Sequence, residues 1–413
     1  MTPATVATAH PPRHHVSRSH LGGLVLAVAV VILVLRLPGS VMVMAAAPFI
    51  SLLISGLHRP PVQARLLWLF LACATVSAFV GVFLVPTGLG LVNFATLALT
   101  FTMFGLAVLC SGDSRGVAGI IMTTLYGAFG FALVVGLLEM ASGFKLQTVL
   151  YPDASNLKFA GRFLVAAWFP NYNDFAVVVT MFALMAFTRF LFDNPASRGR
   201  RAVRLTSFFA AFAVIVIGGS RGALMGLAVG FALILIHAVR VVRPRLITGL
   251  AVILAALIAS AGALVIWLSP WVQDNSTALR ERIVENTLAL TPGDSIQFWV
   301  GWGDVARFTD ATTAAYPNVL MDPHNVLLEV FIWFGFPTLL ALLVLWCYVC
   351  WRGLWRAEIQ SGWVSTAAVV LFALTPVLGI VPSSSLRYYY LFLIAPCAVA
   401  LLWPPRERSK ELA

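Results

Sequence analysis

An all-α, polytopic membrane protein is the fold class this sequence predicts, and three observations predict it. Hydrophobic residues make up 60% of the 413 and charged residues only 10%, whereas a soluble domain carries about 25% charged residues. Apolar runs such as 25–35, 95–109 and 247–266 lie in stretches long enough, or nearly so, to cross a hydrocarbon core ~30 Å thick. The basic residues are grouped between apolar runs, as the positive-inside rule requires of short loops.

About twelve transmembrane helices are expected, with cores at 21–36, 39–57, 65–85, 88–110, 117–141, 170–192, 205–218, 222–239, 246–268, 324–350, 363–380 and 387–403. The segment 21–35 is followed by another apolar run rather than a soluble domain, so a cleavable signal peptide is not expected. Charge separates the seventh and eighth crossings. Arg198, Arg200, Arg201 and Arg204 precede them and Arg240, Arg243 and Arg245 follow. Both clusters prefer the cytoplasm, so an even number of crossings lies between them and Gly219-Ser220-Arg221 becomes an outward turn. With both termini inside, 18 of the 27 basic residues fall on the cytoplasmic side. The expected plan is a cytoplasmic tail 1–20, crossings 1–9 over 21–268, a large extracytoplasmic loop 269–322 between spans 9 and 10, crossings 10–12 over 323–403, and a cytoplasmic tail 404–413.

Composition also excludes function classes. The net charge of +11 is split between membrane spans, and a nucleic-acid site needs one contiguous basic face. The five cysteines lie in or beside apolar segments; Cys347 and Cys350 have redox or metal spacing but no second pair, so they read as small apolar filler. No phosphate-binding P-loop occurs.

Within the large loop, 275–290 reads as an amphipathic helix with Leu279, Ile283 and Leu288 on one face. A turn at 291–294 follows. Asp294 is placed to cap a second helix carrying Phe298, Trp302 and Val305. The two helices suit a membrane surface, or a lid with a packing role only.

The polar residues near membrane ends are the candidates for chemistry. In this topology His324 is the one outward histidine. Asp322 suits an N-cap and Pro323 the first helical position, which puts His324 in a first helical turn whose dipole disfavours imidazolium. Position leaves two readings open: a neutral histidine that accepts a proton, or one that hydrogen-bonds at headgroup level. Glu329 points about 140° away from His324 and shares a face with Asn325. An acid inside a span is costly, which favours a function or a buried partner. Gly218 to Gly222 allows close backbone approach, with Ser220 beside Arg221, and Arg221 supplies a planar fork suited to phosphate. Arg162 and Arg387 can add charge at the same level; each, taken singly, is as consistent with snorkelling to headgroups. Asn171, Tyr172, Asn173 and Asp174 open the sixth crossing, either as a helix cap or as a functional polar cluster.

These motifs resemble the O-antigen ligase and polymerase superfamily. His324-Asn325-Val326-Leu327-Leu328-Glu329, followed by Gly335, is similar to its outer His-Asn-x-x-Leu-Glu…Gly motif. Gly219-Ser220-Arg221-Gly222 is similar to its Ser-Arg-Gly turn, and 169–176 to its Asn/Pro/Asn…Ala segment, in family order. The resemblance implies a bacterial plasma-membrane glycosyltransferase that moves a glycan from a polyprenyl diphosphate carrier to an acceptor hydroxyl on the outer face, among membrane lipids and with no cofactor. It assigns His324 as general base or acceptor-positioning group and Arg221 to the diphosphate. Substrate contacts are expected from Arg162, Asn171, Asn173, Ser220, Asn325, Glu329 and Arg387, and from the loop arginines Arg280 and Arg282. Gln297 stands near the place where the family carries an arginine.

The alternative within the superfamily is a polymerase that extends a lipid-linked glycan, and only the acceptor separates the two. A metal-dependent glycosyltransferase typically carries acids in its first outer loop, where this chain has Arg36-Leu37-Pro38-Gly39. A transporter or flippase would place charges at the midplane, whereas here they gather near the outer surface.

Overall fold

The computed structural model describes residues 17–61, 64–84, 89–146, 150, 165–193, 197–242, 275–303, 305–317, 323, 325–355, 362–381 and 390–402. Among them there is no β-strand. Helices α1 (Arg18–Val34), α2 (Ser40–Ser55), α3 (Arg65–Leu84), α4 (Leu89–Leu109) and α5 (Ser114–Ser142) are followed by α6 (Tyr172–Phe192), α7 (Arg198–Gly218) and α8 (Arg221–Val242). The loop region contributes α9 (Asn275–Ala289), α10 (Ile296–Val300) and α11 (Val305–Ala315). Then come α12 (Val326–Val349), continued by a π-helical turn at Cys350–Trp355, α13 (Trp363–Ala373), α14 (Thr375–Leu378) and α15 (Tyr390–Leu402).

Where residues are described, the observed helices coincide closely with the expected cores, with one systematic difference. The seventh and eighth were expected to be short, but α7 and α8 run 21 and 22 residues because they continue through the flanking arginines. Arginine is a good helix former, so a helix need not end where the hydrocarbon does. Five described helices (114–142, 172–192, 198–218, 221–240 and 326–355) are long and apolar enough to span, and six shorter apolar helices accompany them. The chain is therefore a multi-pass membrane protein. The expected ninth crossing, 246–268, lies outside the described residues.

Helix α6 occupies the middle of the bundle. Every residue from Asp174 to Thr188 is buried, as a helix apolar on all faces should be. It packs against α5, α7, α8 and α13. Helix α7 is one-sided: Phe208, Ala211 and Ile215 are buried, while Phe209, Phe212, Val216 and Ile217 are exposed among the described residues. Helix α8 approaches its neighbours through Gly222, Gly226 and Gly230, four residues apart. Any Cβ there would run into Val381, Leu378, or Leu184 and Leu374, which is the small-residue packing expected where lipid supplies no hydrophobic drive between helices.

One end of α6 carries a basic rim. Arg204 is 9% exposed; its guanidinium lies 2.7 Å from the Asp193 carboxylate and also donates to the Asp193 and Arg189 carbonyls. Arg189 sits over the Tyr126 and Trp363 rings. Arg240 covers Trp355 and donates to the Leu354 carbonyl at 2.6 Å.

Helix α12 is broken. Gly335, at φ 76°, interrupts it two residues before Pro337. The loop segment around α10 fits into that break. A Cβ on Gly301 would lie 2.5 Å from the Trp333 carbonyl, and one on Gly335 would strike the Trp299 backbone. The Trp302 amide donates to the Ile332 carbonyl at 2.6 Å, which uses an acceptor freed by the break.

Candidate active site

The rim opposite the arginines is built from backbone held by buried polar side chains. Glu139, in the last turn of α5, is 5% exposed. Its Oε1 accepts the Leu146 amide at 2.7 Å; its Oε2 accepts the Ala167 amide at 2.9 Å and that of Ala166 at 3.3 Å. Ala167 lies in the left-handed region, at φ 48°, which costs a non-glycine residue roughly 1–2 kcal/mol. Next to it the Trp168 indole donates to the Val34 carbonyl at 2.9 Å, tying this segment to the end of α1.

That segment delivers the start of α6. Asn171 is the N-cap, its Oδ1 accepting the Asn173 amide at 2.8 Å, so the capping alternative is satisfied. Asn173 does more. Its Oδ1 accepts the Ser220 hydroxyl at 3.1 Å, across 47 residues of sequence. Gly219, at φ 64°, closes α7 with its amide on the Ile215 and Val216 carbonyls. Ser220 is buried in the turn, and half-buried Arg221 opens α8. The Asn171–Asp174 and Gly219–Arg221 motifs are thus one unit.

The third motif meets the same end of the bundle. Asn325 is the N-cap of α12, its Oδ1 accepting the Leu327 amide at 2.9 Å and the Leu328 amide at 3.3 Å. This corrects the expectation of a cap at Asp322 with Pro323 in the first helical position. The helix begins at Val326, so His324 precedes the cap in sequence instead of occupying the first turn. The physical reason is that an Asn side chain can reach two consecutive amides ahead of it. The dipole argument for a neutral His324 loses its basis with that shift. Glu329 is fully buried in the first turn, its amide on the Asn325 carbonyl at 2.8 Å. The Val326 amide donates to the Gly379 carbonyl at 3.1 Å. A narrow cavity lined by Asp174, Val177, Val326, Gly379 and Tyr390 joins the starts of α6, α12 and α15. Arg36, at φ 55°, lies within electrostatic reach of Tyr390, as does Asp174.

The loop helices differ from expectation in two ways. Among the described side chains of α9, Ile283 and Thr287 are buried, while Leu288 is 51% exposed. Leu288 therefore does not share a face with Ile283, because five residues at 100° each bring it about 140° round the helix. Arg280, three residues before Ile283, is half-buried, and Arg282 is exposed. The second helix is also not continuous. Ser295, not Asp294, caps it, its hydroxyl oxygen accepting the Phe298 amide. It ends at Val300, and α11 starts at Val305. Gly301 and Gly303, both at positive φ, break it. Phe298 stacks on Phe336, and Phe308 meets Trp302 and Trp333 edge-on. Trp302 donates its indole to Thr291 at 3.0 Å, and Gln297 is half-buried on α10.

Of the sequence-derived site residues, His324, Arg162 and Arg387 lie outside the described residues. Asn171, Asn173, Ser220 and Arg221 come together, with Asn325 and Glu329 at the same end of the bundle. Sequence reasoning missed Glu139, Tyr390 and the Gly379 carbonyl. The signal for Glu139 was present: an acid within an apolar span needs partners, and the argument applied to Glu329 holds equally for it.

Comparison with known proteins supports the motif-based resemblance. Residues 206–343 match the family model described as O-antigen ligase. No curated protein matches the chain. The matched stretch runs from α7 through the first half of α12, and it includes the Gly219–Arg221 turn, the loop helices and the 324–335 motif. Over this stretch, about a third of its length, the chain is similar to the family described as O-antigen ligase.

Proposed function

We propose that this protein transfers a glycan from a polyprenyl diphosphate carrier to an acceptor hydroxyl at the outer face of a bacterial plasma membrane. The observation that carries this reading is the Asn173–Ser220 hydrogen bond. It joins two separate motifs at one end of the bundle, next to Arg221 in the first turn of α8, where the positive end of the helix dipole and a guanidinium both favour a diphosphate. The donor is already activated. The acceptor oxygen attacks the anomeric carbon, the carbon–oxygen bond to the diphosphate breaks, and its electron pair leaves on the diphosphate. The acceptor proton passes to His324. Direct displacement of this kind inverts the anomeric centre. Cationic stabilisation of the leaving group and one positioned base suffice, so no metal or other cofactor is assigned. Arg162, Asn171, Asn325, Glu329 and Arg387 are proposed substrate contacts. In the loop, half-buried Arg280 is favoured over exposed Arg282.

The test is glycan analysis in a strain that lacks this protein, complemented with variants. Loss of the protein should leave carrier-linked glycan untransferred. His324→Ala should lower transfer by about 10²–10⁴-fold at unchanged membrane abundance, and EDTA should leave the wild type unaffected. Full activity of His324→Ala, or abolition by EDTA with rescue by a divalent cation, would overturn the mechanism. The acceptor that receives the glycan separates the two readings: a carrier-linked glycan marks a polymerase, a different wall or lipid anchor a ligase.

A further inference from the structure

Resting on the site proposed above, we infer that Glu139 is a positioning residue for it: the carboxylate holds Ala167 in left-handed backbone and so sets where Asn171, Asn173 and Ser220 stand. Glu139 is buried at the end of α5, a helix that contributes none of the motif residues. Both of its oxygens are occupied by backbone, Leu146 on one and Ala166 and Ala167 on the other. The second pair lies four to five residues before the Asn171 cap. Two further bonds lie on the path between, from the Phe169 amide to the Ala166 carbonyl and from the Trp168 indole to the Val34 carbonyl, at 2.9 Å each. Three donors converging on two oxygens require a carboxylate. A glutamine of the same shape offers one acceptor and one NH₂ donor, so either the Leu146 amide or the Ala166–Ala167 pair would face another donor. Ala167, at φ 48°, leaves the left-handed region readily once those bonds are lost, because only glycine visits it at no steric cost. A shift of the Asn171–Asn173 segment then moves the partner of Ser220, one residue from Arg221.

The inference predicts a specific rescue. Glu139→Gln should lower glycan transfer by about 10–10²-fold, the scale of a misplacement near 1 Å. Ala167→Gly alone should transfer like wild type. In Glu139→Gln/Ala167→Gly, transfer should recover at least about threefold, since glycine keeps the left-handed conformation without the clamp. Ala167→Val should reproduce the defect with the carboxylate intact, because a β-branched residue is excluded from that conformation. Amide hydrogen exchange on the purified full-length protein in nanodiscs gives a readout free of activity: Ala166 and Ala167 should exchange faster in Glu139→Gln. Unchanged exchange, wild-type transfer by Glu139→Gln, a double variant no better than the single, or full activity of Ala167→Val would each overturn the inference. Arg221→Ala, assayed alongside, separates the two levels. If it is inactive while Glu139→Gln is fully active, only the positioning role fails; if it is fully active, the diphosphate site itself fails.

Discussion

The two ends of α6 solve opposite problems with polar residues. Around Phe192, charge meets charge and aromatic ring: Asp193 with Arg204 and Arg189, Arg189 over Tyr126 and Trp363, Arg240 over Trp355. The cationic side chains there grip an acid, aromatic rings and helix-end carbonyls, Arg204 those of Arg189 and Asp193 and Arg240 that of Leu354. Around Tyr172, side chains grip backbone: Glu139 on three amides, Asn171 and Asn325 on helix starts, Trp168 on the Val34 carbonyl. The basic rim joins regular helices end to end. The other rim holds the non-helical chain before α6, whose Ala166, Ala167 and Phe169 amides find partners inside the protein, the condition on which a membrane protein tolerates irregular backbone. Irregular backbone is also where groups can be aimed at a substrate, and the proposed site is assigned to this end.

The comparison can be broken most forcefully at Arg221. Arg221→Ala should reduce glycan transfer by two orders of magnitude or more, the scale on which a single leaving-group stabiliser acts. Arg221→Lys should recover little, since it keeps charge and loses the fork. Lys145→Ala, nearby in the expected topology, should transfer normally. An active Arg221→Ala protein would make this rim as structural as the other.

Next in size is the loop clamp. Gly335→Ala places a methyl group against the Trp299 backbone at a positive φ, which should destabilise by about 2–4 kcal/mol from overpacking and backbone strain together. Thermal melting in detergent should show it, and the loss of activity should follow the loss of folded protein.

On the basic rim, Arg204→Ala leaves Asp193 with Arg189 as its remaining ion-pair partner. Asp193 is about a third exposed, so the cost should fall to about 1–2 kcal/mol rather than that of a fully buried pair. Transfer per folded molecule should stay at the wild-type level. A drop in turnover without a drop in melting temperature would show that the two ends are not independent.

The smallest expected effect is Ser220→Ala. Removing one neutral hydrogen bond costs about 0.5–1.5 kcal/mol, and the half-buried Asn173 oxygen loses a donor. A modest fall in transfer, smaller than that of Arg221→Lys, is expected in membranes matched for protein level.

Hydropathy and arginine placement made most helices legible, including the separation of α7 from α8 at Gly219, because lipid forces backbone hydrogen bonds inside each segment. Helix-cap chemistry was legible at Asn171 and was misassigned before α12, where Asp322, Pro323 and Asn325 all compete for the start within four residues. The loop was the least legible part. Phe298, Trp302 and Val305 fit one helical face on paper. Gly301 and Gly303 instead break the chain so that Trp302 can reach Ile332.

The sequence by itself determined the membrane class, the helical segments and the three motifs, since these depend on local composition and spacing against a fixed solvent thickness. Only the tertiary structure decided that Asn173 and Ser220 touch, that Glu139 serves a segment 27 residues away, and that the break at Gly335 receives the loop. Those are contacts between backbone and side chains distant in sequence. No local preference encodes them; they follow from how close small residues let the helices come, and from the need of every buried N–H and C=O to find a partner.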